Sequence, residues 1–301
     1  MSIAAGAMAG HRAGSRRASR GLFGRRRWAL VLSYGFLLLF AVFFLLPPYY
    51  MLVTSLKSSR EVADMATNPW FVARHMTLDN YRALLGHAQF LTYFRNTAIV
   101  TVLVVAISMT ISVLAAYSLA RLKFWGSGLL ATGVFLTYLV PETLLFIPLF
   151  QIVGTLGLLN TYWSLVLVYP TIAVPFCTWI MIGYFGSIPK ELDEAALIDG
   201  AGQLRMLVSI FMPVAMPGII AATIFAFTVS WGAFLYPMAF IYSTDQLPLT
   251  AGIVTTLIKG DVFQWGSIMA GALLAAAPPV ILYAFLMDYY IAGLTAGATK
   301  G

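Results

Sequence analysis

The side chains that most often carry catalysis or bind metals are scarce and scattered in this sequence. His11, His75 and His87 are the three histidines, and their spacing does not match a zinc site. Cys177 is the one cysteine, so an internal disulfide is excluded. The dipeptide Gly-Lys is absent, and with it the phosphate-binding P-loop. The sequence therefore predicts no metal, no cofactor and no enzymatic activity in this chain alone.

One acidic side chain interrupts a long apolar stretch. Glu142 follows Pro141 and separates two uncharged runs, 124–141 and 143–189. A charge within a bilayer costs at least ~2.5 kcal/mol, so such a residue is a candidate for lining a polar path. Pairing with another helix, or a place near water at a span end, are the alternatives. Further candidates, which would also suit interfacial aromatic belts, are Tyr138, Gln151, Trp179, Trp231 and Tyr236.

The segment 186–216 is far longer than a connector between two helices requires. Ser187 suits the N-cap of a short helix, and Gly200 suits its end. A second helical stretch, 203–211, would stop at Pro213. The segment holds four of the eleven acids, Glu191, Asp193, Glu194 and Asp199. The first three lie near the predicted helix start, where negative charge is favourable. The pattern predicts a helix–turn–helix hairpin.

Two interpretations of this hairpin stay open on physical grounds. Ala195 and Ala196 give it a small face, and Gly200 permits a sharp turn with close backbone approach. These features suit docking against another protein. A hairpin that packs on its own helices would explain the two alanines equally well.

The composition shows which elements must position these residues. Of the 301 residues, 60% are hydrophobic and 10% are charged, against roughly 25% charged residues in soluble domains. A soluble enzyme, a disordered chain and a disulfide-built domain are thereby excluded. Continuous apolar runs of about 20 residues favour membrane-spanning helices over a barrel. The six predicted spans are 28–52, 96–119, 129–153, 162–185, 217–242 and 266–289.

Basic residues predict the orientation of these spans. The first 27 residues contain seven Arg and no acid, and twelve of the 18 Lys and Arg fall on the same predicted side. Both ends of the chain are therefore expected in the cytoplasm. A nucleic-acid-binding arm is disfavoured because the basic cluster directly precedes a span. A cleaved signal is disfavoured because the first apolar run is long and has no A-x-A site.

The chain divides at the ends of the spans. Aromatic residues between 70 and 94, in the first outer loop, fit either an interfacial helix before the second span or a plain connector. The predicted segments are a basic tail (1–27), a first span (28–53), an outer loop (54–94), a core of five spans that includes the cytoplasmic loop 186–216 (95–292), and a cytoplasmic tail (293–301).

The cytoplasmic loop carries a recognisable motif. Its residues fit the spacing EAA-x3-G-x9-I-x-L-P, with Met212 in place of the usual Leu, at Glu194, Ala195, Ala196, Gly200, Ile210, Met212 and Pro213. This motif resembles the coupling loop of permease subunits of binding-protein-dependent ABC importers. The resemblance implies that the loop, including Glu191, Asp193 and Asp199, enters a cleft of a separate ATPase subunit.

The resemblance covers about residues 70–301. The segments 78–81, 119–122, 148–150 and 157–161 resemble parts of sugar-importer permeases. Residues 292–301 resemble the tail of the smaller, MalG-like subunit of maltose-type importers. Trp231 is followed by Gly232 where many of these permeases have Asn, so a substrate contact from that Asn is not expected here.

The resemblance also implies a fold, a cargo and partners. The fold is an all-α, six-span, type I ABC importer permease in the bacterial inner membrane, and the cargo is an oligo- or disaccharide. The partners are a second related permease, two ATPase subunits that bind ATP and Mg²⁺, and an extracytoplasmic solute-binding protein. Expected contacts for that protein, in the outer loop 243–265, are Asp245, Lys259, Asp261 and Trp265.

Two other functions stay open at this point. One is the same kind of importer with a non-sugar solute, such as a polyamine or glycerol phosphate. An ion-coupled secondary transporter would instead require buried acids in several spans, and Glu142 is the one clear candidate.

Overall fold

The protein is a helical bundle with one two-residue strand pair. The computed structural model describes the backbone of residues 4–122, 124–259 and 262–298, and the side chains of residues 28–122, 124–258 and 263–287. In chain order the elements are α1 (Ala4–Ser55), α2 (Ser59–Ala63), α3 (Asp79–Gly86), α4 (Ala88–Arg121), α5 (Ser127–Tyr138), α6 (Glu142–Thr155), α7 (Trp163–Ser187), α8 (Glu191–Ile198), α9 (Gln203–Met206), a π-helical turn (Leu207–Phe211), α10 (Met212–Val214), α11 (Met216–Trp231), α12 (Leu235–Phe240), α13 (Leu249–Leu257), β1 (Ile258–Lys259), β2 (Val262–Phe263) and α14 (Trp265–Ala298).

Six segments of the described chain can cross a membrane. Five helical segments have the length and hydropathy to do so on their own, in α1, α4, α7, α11–α12 and α14. The sixth span requires α5 and α6 together. The predicted number of spans therefore agrees with the structure.

The third span differs from its predicted form. The sequence predicted one continuous helix over 129–153, but α5 and α6 meet at an angle of 95°. The break falls at Pro141, whose ring removes a backbone donor and disfavours helical geometry at Val140. Glu142 therefore begins α6 instead of lying inside a straight span.

Other prolines do not interrupt their helices. Pro170 and Pro175 both lie within the continuous helix α7.

The fifth span is interrupted at Gly232, four residues before Tyr236, and resumes as α12. Aside from that interruption, the predicted boundaries 217–242 agree with α11 and α12.

Four helices form the centre of the bundle. α4 packs along α7, and α11 lies against α4, α7 and α14. Small residues allow close approach where side chains meet. A Cβ added at Gly218 would overlap the Tyr184 ring, and one at Gly252 would overlap the Tyr93 ring.

Two buried clusters lie at opposite ends of this bundle. The cluster near α8, which we call the hairpin end, includes Tyr117, Phe185 and Phe211. The cluster at the opposite end includes Tyr236 and Leu249. Both ends are thus packed by aromatic and aliphatic side chains around a shared set of helices.

The first span is attached at one end. Every side chain from 28 to 50 is exposed, whereas Ser55 and Lys57 are buried. Asn80 of α3 holds this junction, because its Nδ2 donates hydrogen bonds to the carbonyls of Ser55 and Lys57, both at 2.9 Å. Its Oδ1 also lies 3.3 Å from the Oγ of Ser267, on α14, which donates to it.

Candidate functional site

The predicted hairpin is present between α7 and α11. α8 has Glu191, Asp193 and Glu194 in its first turn. Gly200 has a φ of +72°, the left-handed conformation that ends a helix and that glycine adopts without strain. Ser187 does not cap α8 as expected. It ends α7, and its Oγ donates to the Tyr184 carbonyl at 2.8 Å.

The two alanines of the motif face in different directions. Ala195 is exposed, as are Glu191, Glu194 and Asp199, while Ala196 is 4% exposed and packs in the core cluster of the hairpin end. The packing interpretation therefore applies to Ala196, and the docking interpretation stays a prediction for the exposed residues around it. One alanine anchors α8 to the bundle, and the neighbouring residues present a free acidic surface.

Three exposed apolar side chains extend this acidic surface. Leu197, Ile198 and Leu204 are 57%, 86% and 70% exposed. The sequence analysis did not select them, although apolar residues within an acidic, otherwise polar hairpin are a usable signal. Exposed aliphatic residues beside carboxylates suit a protein partner whose groove has both apolar and basic walls.

Ile210 and Pro213 lie on the segment that leads from the hairpin to α11. Ile210 is half-buried and packs against the hairpin-end cluster, in the π-helical turn. Pro213 is exposed in α10, which Ala215 separates from α11. These two motif residues belong to the second half of the hairpin, residues 203–214, while Glu194 and Ala195 lie on the exposed face of α8.

The hairpin is fixed to the end of α4 by polar contacts. Arg121, the last residue of α4, forms an ion pair with Asp193 at 3.1 Å. Its guanidinium carbon lies 4.7 Å from the centre of the Phe211 ring. Tyr117, one turn earlier, donates a hydrogen bond to Gln203 Oε1 at 2.6 Å. The acidic surface is therefore held on a structured base.

A second candidate site lies at the break in the third span. A cavity of about 480 Å³ is lined by Tyr138 and Glu142 from the two sides of the break. Thr171 and Phe225, from α7 and α11, complete its wall. Hydroxyl groups, one carboxylate and aromatic rings in one cavity match the chemistry of a path for a polyhydroxylated solute.

The remaining path candidates are not lining residues of this cavity. Tyr236 is 2% exposed and donates a hydrogen bond to the Glu142 main-chain oxygen at 2.9 Å. It therefore stabilises the break between α5 and α6 without lining the cavity. Trp231 is 6% exposed and donates to the Ala275 carbonyl at 2.9 Å. Trp179 packs on Phe135, and Gln151 is exposed on α6.

The predicted contacts for a solute-binding protein are partly described. Asp245 is exposed, and its carbonyl accepts a hydrogen bond from Asn96 Nδ2 at 2.7 Å. Trp265 is 47% exposed and stacks on Phe263. Asp261 and the side chain of Lys259 lie outside the described residues.

The comparisons with known proteins identify the family. Residues 108–295 match the family model described as binding-protein-dependent transport system inner membrane component. The chain belongs to this family. The matched range contains both the hairpin and the cavity of this permease, and it begins after α1.

Relatives of the permease match over nearly the whole length. The inner membrane ABC transporter permease protein YcjP of Escherichia coli strain K12 is 33% identical over 267 residues, 88% of this chain and 94% of that protein. The maltodextrin transport system permease protein MdxG of Bacillus subtilis strain 168 is 31% identical, over 90% of this chain and 96% of that protein. The trehalose/maltose transport system permease protein MalG of Thermococcus litoralis is 32% identical, over 88% and 94%.

A solved structure shows the same fold. The crystal structure of a bacterial ABC transporter involved in the import of the acidic polysaccharide alginate matches with a TM-score of 0.76 and 22% identity. The match covers 88% of this permease and 97% of that chain. The predicted family and the all-α polytopic permease fold are thereby confirmed.

Proposed function

We propose that this permease is one of two permease subunits in an ATP-driven importer of an oligo- or disaccharide. Two ATPase subunits supply the energy, and an extracytoplasmic solute-binding protein delivers the sugar. Three of the relatives are named as permeases for maltodextrin, trehalose or maltose, and arabinooligosaccharides, which supports a carbohydrate cargo. ATP and Mg²⁺ bind on the ATPase subunits, and this chain contributes half of the path.

The observation that carries the proposal is the free face of the hairpin. Glu194, Ala195 and Ile198 are exposed together on α8, while Ala196 and Arg121 hold the same helix to the bundle. A surface that is free on one side and anchored on the other transmits displacement between a partner and the spans. The hairpin therefore serves as the contact with an ATPase subunit.

Charge asymmetry supports the proposed orientation. The basic N-terminal segment and the hairpin belong on the cytoplasmic side, where the ATPase subunits lie. The opposite end, with Asp245 and the stacked pair Phe263–Trp265, then faces the solute-binding protein. ATP binding closes the ATPase pair, the hairpin follows it, and the cavity beside Glu142 opens toward the docked binding protein.

Co-purification tests the partner assignment. The permease is isolated through an affinity tag from cells that express the permease, ATPase and binding-protein genes encoded beside it. We expect the ATPase subunit to accompany the parent chain and to be lost on Glu194→Lys, because a reversed charge opposes a basic groove. Arg82→Gln, a change at an exposed residue of the opposite end, is the matched control.

Reconstitution tests the cargo and the energy source. The complex in proteoliposomes is supplied with Mg-ATP, the neighbouring binding protein and maltotriose, arabinotriose or spermidine in separate assays. Sugar uptake that requires ATP supports the proposal. Uptake of spermidine alone points to a polyamine importer, and uptake by the permease alone on an ion gradient contradicts the proposal.

A further inference from the structure

α8 stands away from the spanning helices and is bridged to them by side chains. Among the described residues, no spanning helix packs along α8. A cavity of about 240 Å³ separates it from the end of α4, with Tyr117 and Arg121 on one wall and Asp193 and Leu197 on the other. Together with the buried Ala196, the contacts across this gap hold α8 on the bundle.

Arg121 makes the main contacts across the gap. Its Nη2 pairs with Asp193 Oδ2 at 3.1 Å and donates to the Pro189 carbonyl at 3.3 Å. Its guanidinium lies over the ring of Phe211, in the π-helical turn that follows α9. One side chain of α4 thus contacts the start of α8, the linker before it and the segment after it.

This ion pair differs from the others in the described part of the chain. The Arg121 side chain is 6% exposed and the Asp193 side chain 26%. The other pairs, Arg82–Asp79 and Arg74–Asp64, are between 37% and 76% exposed. An exposed pair contributes little, whereas a buried cation that loses its carboxylate stays uncompensated.

We propose that Arg121 is a positioning residue that locks α8 to the end of α4, so that the two move as one body when the ATPase partner displaces the hairpin. The proposal rests on the proposed function of the hairpin. It adds α4, which spans the bundle from Arg121 to Ala88, as a force path beside α7, which directly precedes α8 in the chain and packs along α4. Tyr117, bonded to Gln203, is a second contact on the same path.

The experiment follows the far end of α4 while ATP acts at the hairpin. Leu91, an exposed residue in the first turn of α4, is replaced by cysteine and labelled with an environment-sensitive fluorophore. Cys177 is buried and stays unlabelled. The purified permease–ATPase complex in nanodiscs is mixed with Mg-ATP, and the change in fluorescence is measured together with the amount of ATPase retained.

If Arg121 holds α8 to α4, its replacement should reduce the fluorescence response to Mg-ATP while the ATPase subunit stays bound. Arg121→Gln and Asp193→Asn should each remove most of the fluorescence response, because the carboxylate–guanidinium contact between α8 and α4 is lost. Arg121→Gln should keep the ATPase subunit bound, and the response of both variants is taken per bound ATPase subunit. The charge-reversed pair, Arg121→Asp with Asp193→Arg, should restore most of the response, a rescue that loss of packing alone would not produce. Arg82→Gln, at an exposed Arg–Asp pair, should leave the response unchanged.

Several outcomes would overturn the lock. A full response in Arg121→Gln, a reversed pair no better than either single change, or a parent complex that binds ATPase but gives no response would each do so. If Arg121→Gln fails to fold, Asp193→Asn decides, since the Asp193 side chain is the more exposed of the two. A parent chain that never retains an ATPase subunit would instead contradict the proposed function itself.

Discussion

The phenol of Tyr236 donates a hydrogen bond to the main-chain oxygen of Glu142 at 2.9 Å. The two residues are 94 positions apart, and the bond joins the fifth span to the break in the third. Glu142 begins α6 directly after Pro141, where the chain has turned by 95°. The shape of the cavity thus depends on a residue that is not among those lining it.

Removal of this phenol should destabilise the break. We expect Tyr236→Phe to lower the free energy of unfolding by about 0.6–1.7 kcal/mol, the range found for hydrogen bonds between membrane helices. Thermal unfolding of the purified complex in detergent measures the change. Tyr242→Phe, at a residue that is 71% exposed, is the control, and equal midpoints for the two variants would contradict the assignment.

The carboxylate of Glu142 should matter for transport and not for assembly. It is the one charged group lining the cavity at the break. Hydrogen bonds to charged groups contribute about 1.5–3 kcal/mol, so Glu142→Ala should lower sugar uptake by roughly ten- to a hundredfold. Uptake by proteoliposomes and ATPase retention are measured side by side. Thr143→Ala, next in sequence but outside the cavity wall, should transport normally, and a normal rate in Glu142→Ala would exclude it from the path.

The left-handed residue of the hairpin should tolerate no side chain. An added Cβ at Gly200 meets no neighbour, so the cost of Gly200→Ala is that of the positive φ, about 1–2 kcal/mol. We expect faster proteolysis of the hairpin and weaker retention of the ATPase subunit. Gly186→Ala has the same open space at a helical position in α7 and should not weaken either property. Similar behaviour of the two variants would show that conformation at Gly200 is unimportant.

Asn160 should hold the loop before α7 to the end of the fifth span. Its Oδ1 accepts hydrogen bonds from the amides of Tyr242 and Ser243, and its Nδ2 lies 2.6 Å from Ser243 Oγ. Its φ is +61°, so Asn160→Gly removes the contacts without adding strain. We expect a loss of about 1–3 kcal/mol in thermal unfolding. Asn160→Asp keeps the accepting oxygen and should lose less, and the reverse order would contradict this role.

The spans and the hairpin could be predicted because their signals are local. Uninterrupted apolar runs identify membrane helices, and the acids followed by Gly200 mark a short helix and its end. Pro141 gave no comparable indication, since Pro170 and Pro175 are accommodated inside a continuous helix in the same protein. Whether a proline breaks a membrane helix depends on which neighbours satisfy the freed backbone groups.

The direction of individual side chains was harder to predict. Trp231 and Tyr236 were predicted path candidates from residue type alone, yet both are buried and bonded to backbone oxygens. α11 is apolar all round, so its sequence contains no periodic signal for the face that lines a cavity. Ile198 is the opposite case, a residue that was not selected from the sequence. Its exposed apolar side chain indicates a contact surface only once the fold shows that this face of α8 is uncovered.

The attachment of α1 at one end has an evolutionary consequence. The side chains of its apolar part, residues 28–50, are exposed. Its C-terminal end is held by the hydrogen bonds from Asn80 to the carbonyls of Ser55 and Lys57. The range shared with the family begins at residue 108, beyond this helix. A leading helix joined in this way can change in length or in apolar sequence while the core of the permease keeps its packing.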